Sequence, residues 1–171
     1  MKKEKIAFYC GSFDPFHIGH ESIVNMALDL FDKVIICIAY NDSKKGFIPV
    51  NIRKNIIERI FKNNPRIKVI ISYGLVADIA NQENATVIIK GVRDSNDFSN
   101  EMNQADCNMF IGNIPTIFIP SNPKYSYVSS TLIRTILKMT YLSNEDPKER
   151  NYQLLKSILN KEFIDYYYNN S

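Results

Sequence analysis

Two rhythms of apolar residues alternate along the chain. The unbroken runs Ile6-Ala7-Phe8-Tyr9-Cys10 and Val34-Ile35-Ile36-Cys37-Ile38-Ala39 suit strands covered on both faces. Between them Ile23, Val24, Ala27, Leu28 and Phe31 recur at helical spacing. The alternation continues with a helical face at Ile52, Ile56, Ile57, Ile60 and Phe61, ended by Asn63-Asn64-Pro65. A third strand is expected over 67–72, a short helix over 75–82 and a fourth strand over 86–90. Phe98, Met102, Ala105 and Met109 form a stripe at helical spacing, and a fifth strand over 116–119 is closed by Pro120. Ser129 reads as the N-cap of another helix, with Ile133, Ile136 and Leu137 facing inward. Leu154, Leu155, Ile158, Leu159 and Phe163 define a final amphipathic helix, whose Tyr166-Tyr167-Tyr168 end is expected to cover the core.

Alternation of this kind predicts an α/β fold: a Rossmann-like, doubly wound, parallel five-stranded sheet with helices on both faces and right-handed crossovers. It predicts a single domain, with the α/β core over 1–137 and a C-terminal helical extension over 138–171. Such sheets bind ligands at the carboxyl ends of their strands. The polar clusters fall there. Gly11-Ser12 follows the first strand, Ser43-Lys44-Lys45 the second, Lys90-Gly91-Val92-Arg93 the fourth, and the segment 125–134 the fifth. Hydroxyls, cations and helix starts from four segments thus converge on one edge.

Composition narrows the chemistry. With 171 residues the chain can bury about 70% of its unfolded surface without disulfides or metal. A net charge of +3 suits anionic small molecules and is too weak to indicate nucleic acid. Cys10, Cys37 and Cys107 are odd in number and widely spaced, as expected of reduced thiols in a cytoplasm. That spacing offers no metal-binding pattern. No apolar stretch approaches the roughly 18 residues of a membrane span. A cytoplasmic protein is expected, with neither nucleic acid nor membrane as partner.

The richest motif is Gly-Ser-Phe-Asp-Pro-Phe-His-Ile-Gly-His at 11–20. It lies between the first strand and first helix, where helix-start N–H groups carry partial positive charge. His17 and His20 fall on neighbouring positions of the first helical turn. Asp14 and Pro15 are expected to shape the turn. Ser129-Ser130-Thr131, followed by Arg134, suggests a second anion cradle.

The decapeptide resembles the nucleotidyltransferase superfamily, which shares His-x-Gly-His with class I aminoacyl-tRNA synthetases. Lys90-Gly91-Val92-Arg93, Asp97-Phe98, Glu101-Met102, Ala105 and Asn108 narrow the resemblance to the phosphopantetheine adenylyltransferases. It covers roughly residues 6–134 and weakens across the last helices. It implies transfer of AMP from ATP to 4′-phosphopantetheine, with Mg²⁺ arriving on ATP, feedback inhibition by coenzyme A, and a homohexamer. His20, Lys44 and Ser12 are the implied catalytic residues. Ser12, Phe13, His17, His20, Gly91, Val92, Arg93 and Glu101 are implied at ATP, together with Tyr125, Ser126, Tyr127, Val128, Ser129, Ser130 and Thr131. Ser12, Lys44, Val76 and Lys90 are implied at the acceptor.

The chemistry fits what the sequence contains. The acceptor that the resemblance implies is a phosphate monoester whose second pKa is about 6, so it would already be an anionic nucleophile at neutral pH. Cations, hydroxyls and helix starts are needed; a general base is not. Three departures from the family pattern stand out. Lys90 replaces a usual Arg, His17 stands where Thr is more usual, and the segment 129–134 also resembles the pyridine-nucleotide adenylyltransferases; Ser12, besides, stands where the family usually has Thr. A His at position 17 is common in nicotinate or nicotinamide mononucleotide adenylyltransferases, the alternative reading. A non-catalytic nucleotide-binding regulator would be expected to lose His20 or Lys44, and both are present.

Overall fold

The computed structural model describes residues 3–40, 46–138 and 147–169. Five strands, β1 (Ile6–Gly11), β2 (Lys33–Ala39), β3 (Ile67–Ser72), β4 (Val87–Val92) and β5 (Thr116–Pro120), form one sheet in the order β3-β2-β1-β4-β5. Every pairing is parallel. Helices α1 (Ile18–Leu30), α2 (Val50–Ile60), α3 (Val76–Gln82) and α4 (Ser95–Gly112) connect them, and α5 (Ser130–Lys138) follows β5. The expected parallel α/β architecture is present.

Residue alternation along β1 explains the two layers. Ala7 and Tyr9 join Ile36, Ile38 and Ile89 beneath Ile23, Val24 and Ala27 of α1 and Ile57 of α2. Phe8 and Cys10 face the opposite side, with Ile35, Cys37 and Ile88 against Ala77 and Ala80 of α3. Both faces are covered, which is why the strands read as unbroken apolar runs.

Two helices depart from expectation. The final amphipathic helix is two, α6 (Pro147–Leu155) and α7 (Lys161–Asn169). Leu155, Ile158, Leu159 and Phe163 do turn inward, in a cluster with Ile48, Val128, Ile133 and Leu137, but Leu154 is exposed. The break has a cause: the Ile158 carbonyl leaves helical pairing to accept the Ile18 N–H at 3.2 Å. The three tyrosines 166–168 pack against this cluster. The second departure is α4, whose one buried residue is Asn108. Phe98 and Met109 of its apolar stripe lie at the surface.

Candidate active site

The sheet order reverses at β1, with β2 on one side and β4 on the other, and a cleft opens at the carboxyl ends of these strands. Its volume is about 490 Å³. Gly11, Ser12 and Phe13 enter from β1, Ala39 from β2, Lys90 and Gly91 from β4, and Glu101 from α4; the segment before and into α5 closes it.

Helix α1 begins with a reciprocal cap. Nδ1 of His17 accepts from the Gly19 N–H at 3.2 Å, and Nδ1 of His20 accepts from the His17 N–H at 3.3 Å. The two rings stack with centroids 3.7 Å apart. A Cβ on residue 19 would lie 3.0 Å from His17 Cε1, so glycine lets the imidazole fold over the helix start. With the Ile18 N–H held by Ile158, the opening amides are occupied inside the protein. The helix start, expected to offer bare amides, therefore offers the two imidazoles instead. Because each Nδ1 accepts, the neutral ring carries its hydrogen on Nε2. Burial, then Arg93, pushes His17 down to about 3. Burial, then His17 and Arg93, holds His20 well below the ordinary imidazole range. His20 is a neutral hydrogen-bond donor on the cleft wall.

The loop before α1 is held from three sides. Phe13 adopts the left-handed region at φ 47° while its ring is buried. Arg53 of α2 donates from Nη1 to the Ser12 carbonyl at 2.6 Å, and Arg134 of α5 does so to the Asp14 carbonyl at 2.6 Å. The Ser130 hydroxyl donates to the Pro15 carbonyl at 2.9 Å. The Asp14 carboxylate accepts from the Phe47 and Ile48 N–H groups at 2.7 and 2.9 Å. Asp14 is thus committed to shaping the loop. Arg53 left no signal in sequence, because it lies on α2, far from Ser12 along the chain.

On the β4 side, Lys90 Nζ sits 2.8 Å from Glu101 Oε2, and Arg93 Nε sits 3.2 Å from Asp97 Oδ2. On the α5 side, Ser129 is the N-cap, its Oγ accepting from the Leu132 N–H at 3.1 Å. Thr131 Oγ1 accepts from Arg134 Nη2 at 3.0 Å. By helical geometry the Ser130 and Thr131 amides have no acceptor within α5.

Most residues singled out from sequence line this cleft: Ser12, Phe13, His17, His20, Val76, Lys90, Gly91, Arg93, Glu101, Tyr125, Val128, Ser129, Ser130 and Thr131. Three stand outside its wall. Val92 pairs with Pro120 and accepts from the Ser121 N–H; the Ser126 hydroxyl donates to the Pro123 carbonyl; Tyr127 is turned to solvent, 64% exposed. Lys44, with Ser43 and Lys45, lies outside the described residues. Sequence reasoning did not single out Tyr9, Cys10, Gln104 or Ser121, which also line the cleft. Among the described residues no helix is long and apolar enough to cross a membrane.

A parallel sheet with an imidazole- and cation-lined cleft at its switch point defines a nucleotidyltransferase of the cytidylyltransferase-like class, and that family's model matches residues 8–136. The chain is 40% identical over 134 residues to phosphopantetheine adenylyltransferase of Fusobacterium nucleatum subsp. nucleatum, covering 77% of this chain and 82% of the relative. The enzyme of that name from Bacteroides thetaiotaomicron is 40% identical over 131 residues, covering 77% and 87%. The chain belongs to the phosphopantetheine adenylyltransferase family. Among solved structures, Plasmodium falciparum nicotinic acid mononucleotide adenylyltransferase complexed with NaAD superposes with a TM-score of 0.65 at 16% identity, covering 98% of this chain and 96% of that one. A bifunctional NMN adenylyltransferase/ADP ribose pyrophosphatase from Francisella tularensis gives 0.60 at 16% identity, covering 95% and 52%. These two likenesses speak to the fold.

Proposed function

We propose that this protein transfers AMP from ATP to 4′-phosphopantetheine, giving dephospho-coenzyme A and pyrophosphate, as a cytoplasmic step of coenzyme A biosynthesis. The observation that carries the reading is the meeting of His20, Lys90, Arg93 and the α5 start in one cleft. The family's named relatives supply the acceptor's identity.

An acceptor phosphate oxygen forms a bond to the α-phosphorus as the bond to the β-phosphate bridge breaks, and the electron pair leaves with pyrophosphate. The nucleophile is a dianion, so no proton has to be removed. The barrier lies in bringing anions together and dispersing charge. In this reading Nε2–H of His20 donates to the phosphate chain, and Arg93 and the Ser130 and Thr131 amides spread its charge. Ser12, Lys44 and Lys90 hold the acceptor phosphate, and Val76 flanks the acceptor. ATP enters as its Mg²⁺ complex, the ion held by phosphate oxygens, since Glu101 and Asp97 are paired with Lys90 and Arg93. Feedback inhibition by coenzyme A and a homohexameric assembly belong to the same reading.

One observation favours a second acceptor: His17, common in pyridine-nucleotide adenylyltransferases, lines the cleft. Pyrophosphate release from Mg²⁺-ATP decides between them. Release is expected with 4′-phosphopantetheine and far less with nicotinate mononucleotide. The reverse preference overturns the assignment.

A further inference from the structure

Lys90 is held in an unusual way for a lysine. Its side chain is 12% exposed, and its Nζ lies between two groups of α4: Glu101 Oε2 at 2.8 Å and Gln104 Oε1, to which it donates at 3.0 Å. Glu101 and Gln104 are three residues apart and so share a helix face. Gln104 lines the cleft beside Lys90.

An ammonium has three donors on a flexible four-carbon stem, whereas a guanidinium has five in a rigid plane. Arginine could grip a carboxylate and a phosphate together with no further support. Lysine bound to Glu101 alone would swing about that one contact. Gln104 supplies the hydrogen-bond acceptor, which fixes the ammonium beside the Glu101 carboxylate and leaves its other N–H directions for a ligand. It does so without charge. A second carboxylate there would outweigh the ammonium and repel an incoming phosphate. Lysine only donates, so Gln104 must turn its carbonyl oxygen to Nζ.

We propose that Gln104 is a positioning residue that, with Glu101, aims the Lys90 ammonium at the acceptor's phosphate and offsets the loss of a planar guanidinium. The inference rests on the reading of Lys90 as an acceptor-phosphate ligand.

The test is steady-state kinetics of the full chain, titrating ATP and 4′-phosphopantetheine separately, with circular dichroism confirming that each variant folds. Gln104→Met should raise the acceptor KM about fivefold, as expected for one net hydrogen bond, and leave the ATP KM unchanged. Gln104→Glu should raise it too, most strongly at low salt. Combining Gln104→Met with Lys90→Arg should return the acceptor KM towards the parent value, since arginine needs no second anchor. An unmoved acceptor KM in Gln104→Met, equal rises in both KM values, or no recovery in the double variant overturns the proposal. Lys90→Met separates the two failures. If it raises the acceptor KM while Gln104→Met does nothing, only the positioning role falls. If it raises the ATP KM instead, the acceptor reading falls and takes Gln104 with it.

Discussion

His20 joins local structure to the proposed chemistry. Its Nδ1 is spent on the His17 backbone, which leaves a neutral ring with Nε2–H as its one polar offering. Losing one aimed donor costs about 2.7–4 kcal/mol in a transition state, so His20→Ala should lower kcat by roughly 10²–10³. An unchanged kcat would remove His20 from its role. Neutrality adds a pH test. If the neutral ring is the working form, kcat should stay flat from pH 7 to 9 and fall below about pH 6, where the acceptor phosphate gains a proton. A decline beginning near pH 6.5 and continuing upward would instead mean that an imidazolium is required. The sequence made both histidines legible through their spacing. It could not show that their Nδ1 atoms turn back onto the helix, because capping depends on backbone angles at His17 that no spacing encodes.

Helix ends and helix contacts carry consequences of their own. His17 caps α1, and its imidazole is pushed down to about 3, chiefly by burial. The unfolded chain keeps an ordinary histidine near 6.5, so between these values it binds the extra proton. Stability therefore rises with pH through that window and is lost as pH falls below about 6.5. Asparagine caps helices well and does not titrate. His17→Asn should narrow the gap between urea midpoints at pH 7 and pH 5, and an identical gap would show that His17 does not carry the dependence. Away from the cleft wall, α4 meets α3 at Gly112. A Cβ there would lie 2.7 Å from Ala77 Cβ and 2.9 Å from Asn81 Nδ2, while Asn81 donates to the Gly112 carbonyl at 2.8 Å. Gly112→Ala should cost about 1–3 kcal/mol by overpacking, despite alanine's better helix propensity. A urea midpoint at or above the parent value would mean that the interface yields. Periodicity found α4 but not this contact, since a glycine carries no apolar signal.

Across the whole molecule, the parallel strands and the edge where the polar clusters gather were legible because a doubly covered parallel sheet leaves long apolar runs and places its polar clusters after them. What stayed hidden is long-range: Arg53 reaching Ser12, the Ile158 carbonyl breaking the last helix to hold α1, and above all the fate of the α4 stripe. Met109, Phe110 and Ile111 are 45%, 91% and 44% exposed, and Phe98 and Ile117 are exposed as well. Single apolar residues on a surface are ordinary, but contiguous ones mark contact surfaces. Phe98 and Met109 of the stripe are exposed while Met102 and Ala105 are half-buried, so its two ends present apolar groups that another copy of the chain would cover in the proposed homohexamer. Sedimentation should find the parent protein well above the mass of one chain at micromolar concentration. Phe110→Asp places a charge at the most exposed of these positions and should shift the population to smaller species with unchanged circular dichroism. A parent protein that sediments as one chain, or an assembly indifferent to the aspartate, would leave the α4 surface without the role argued for it.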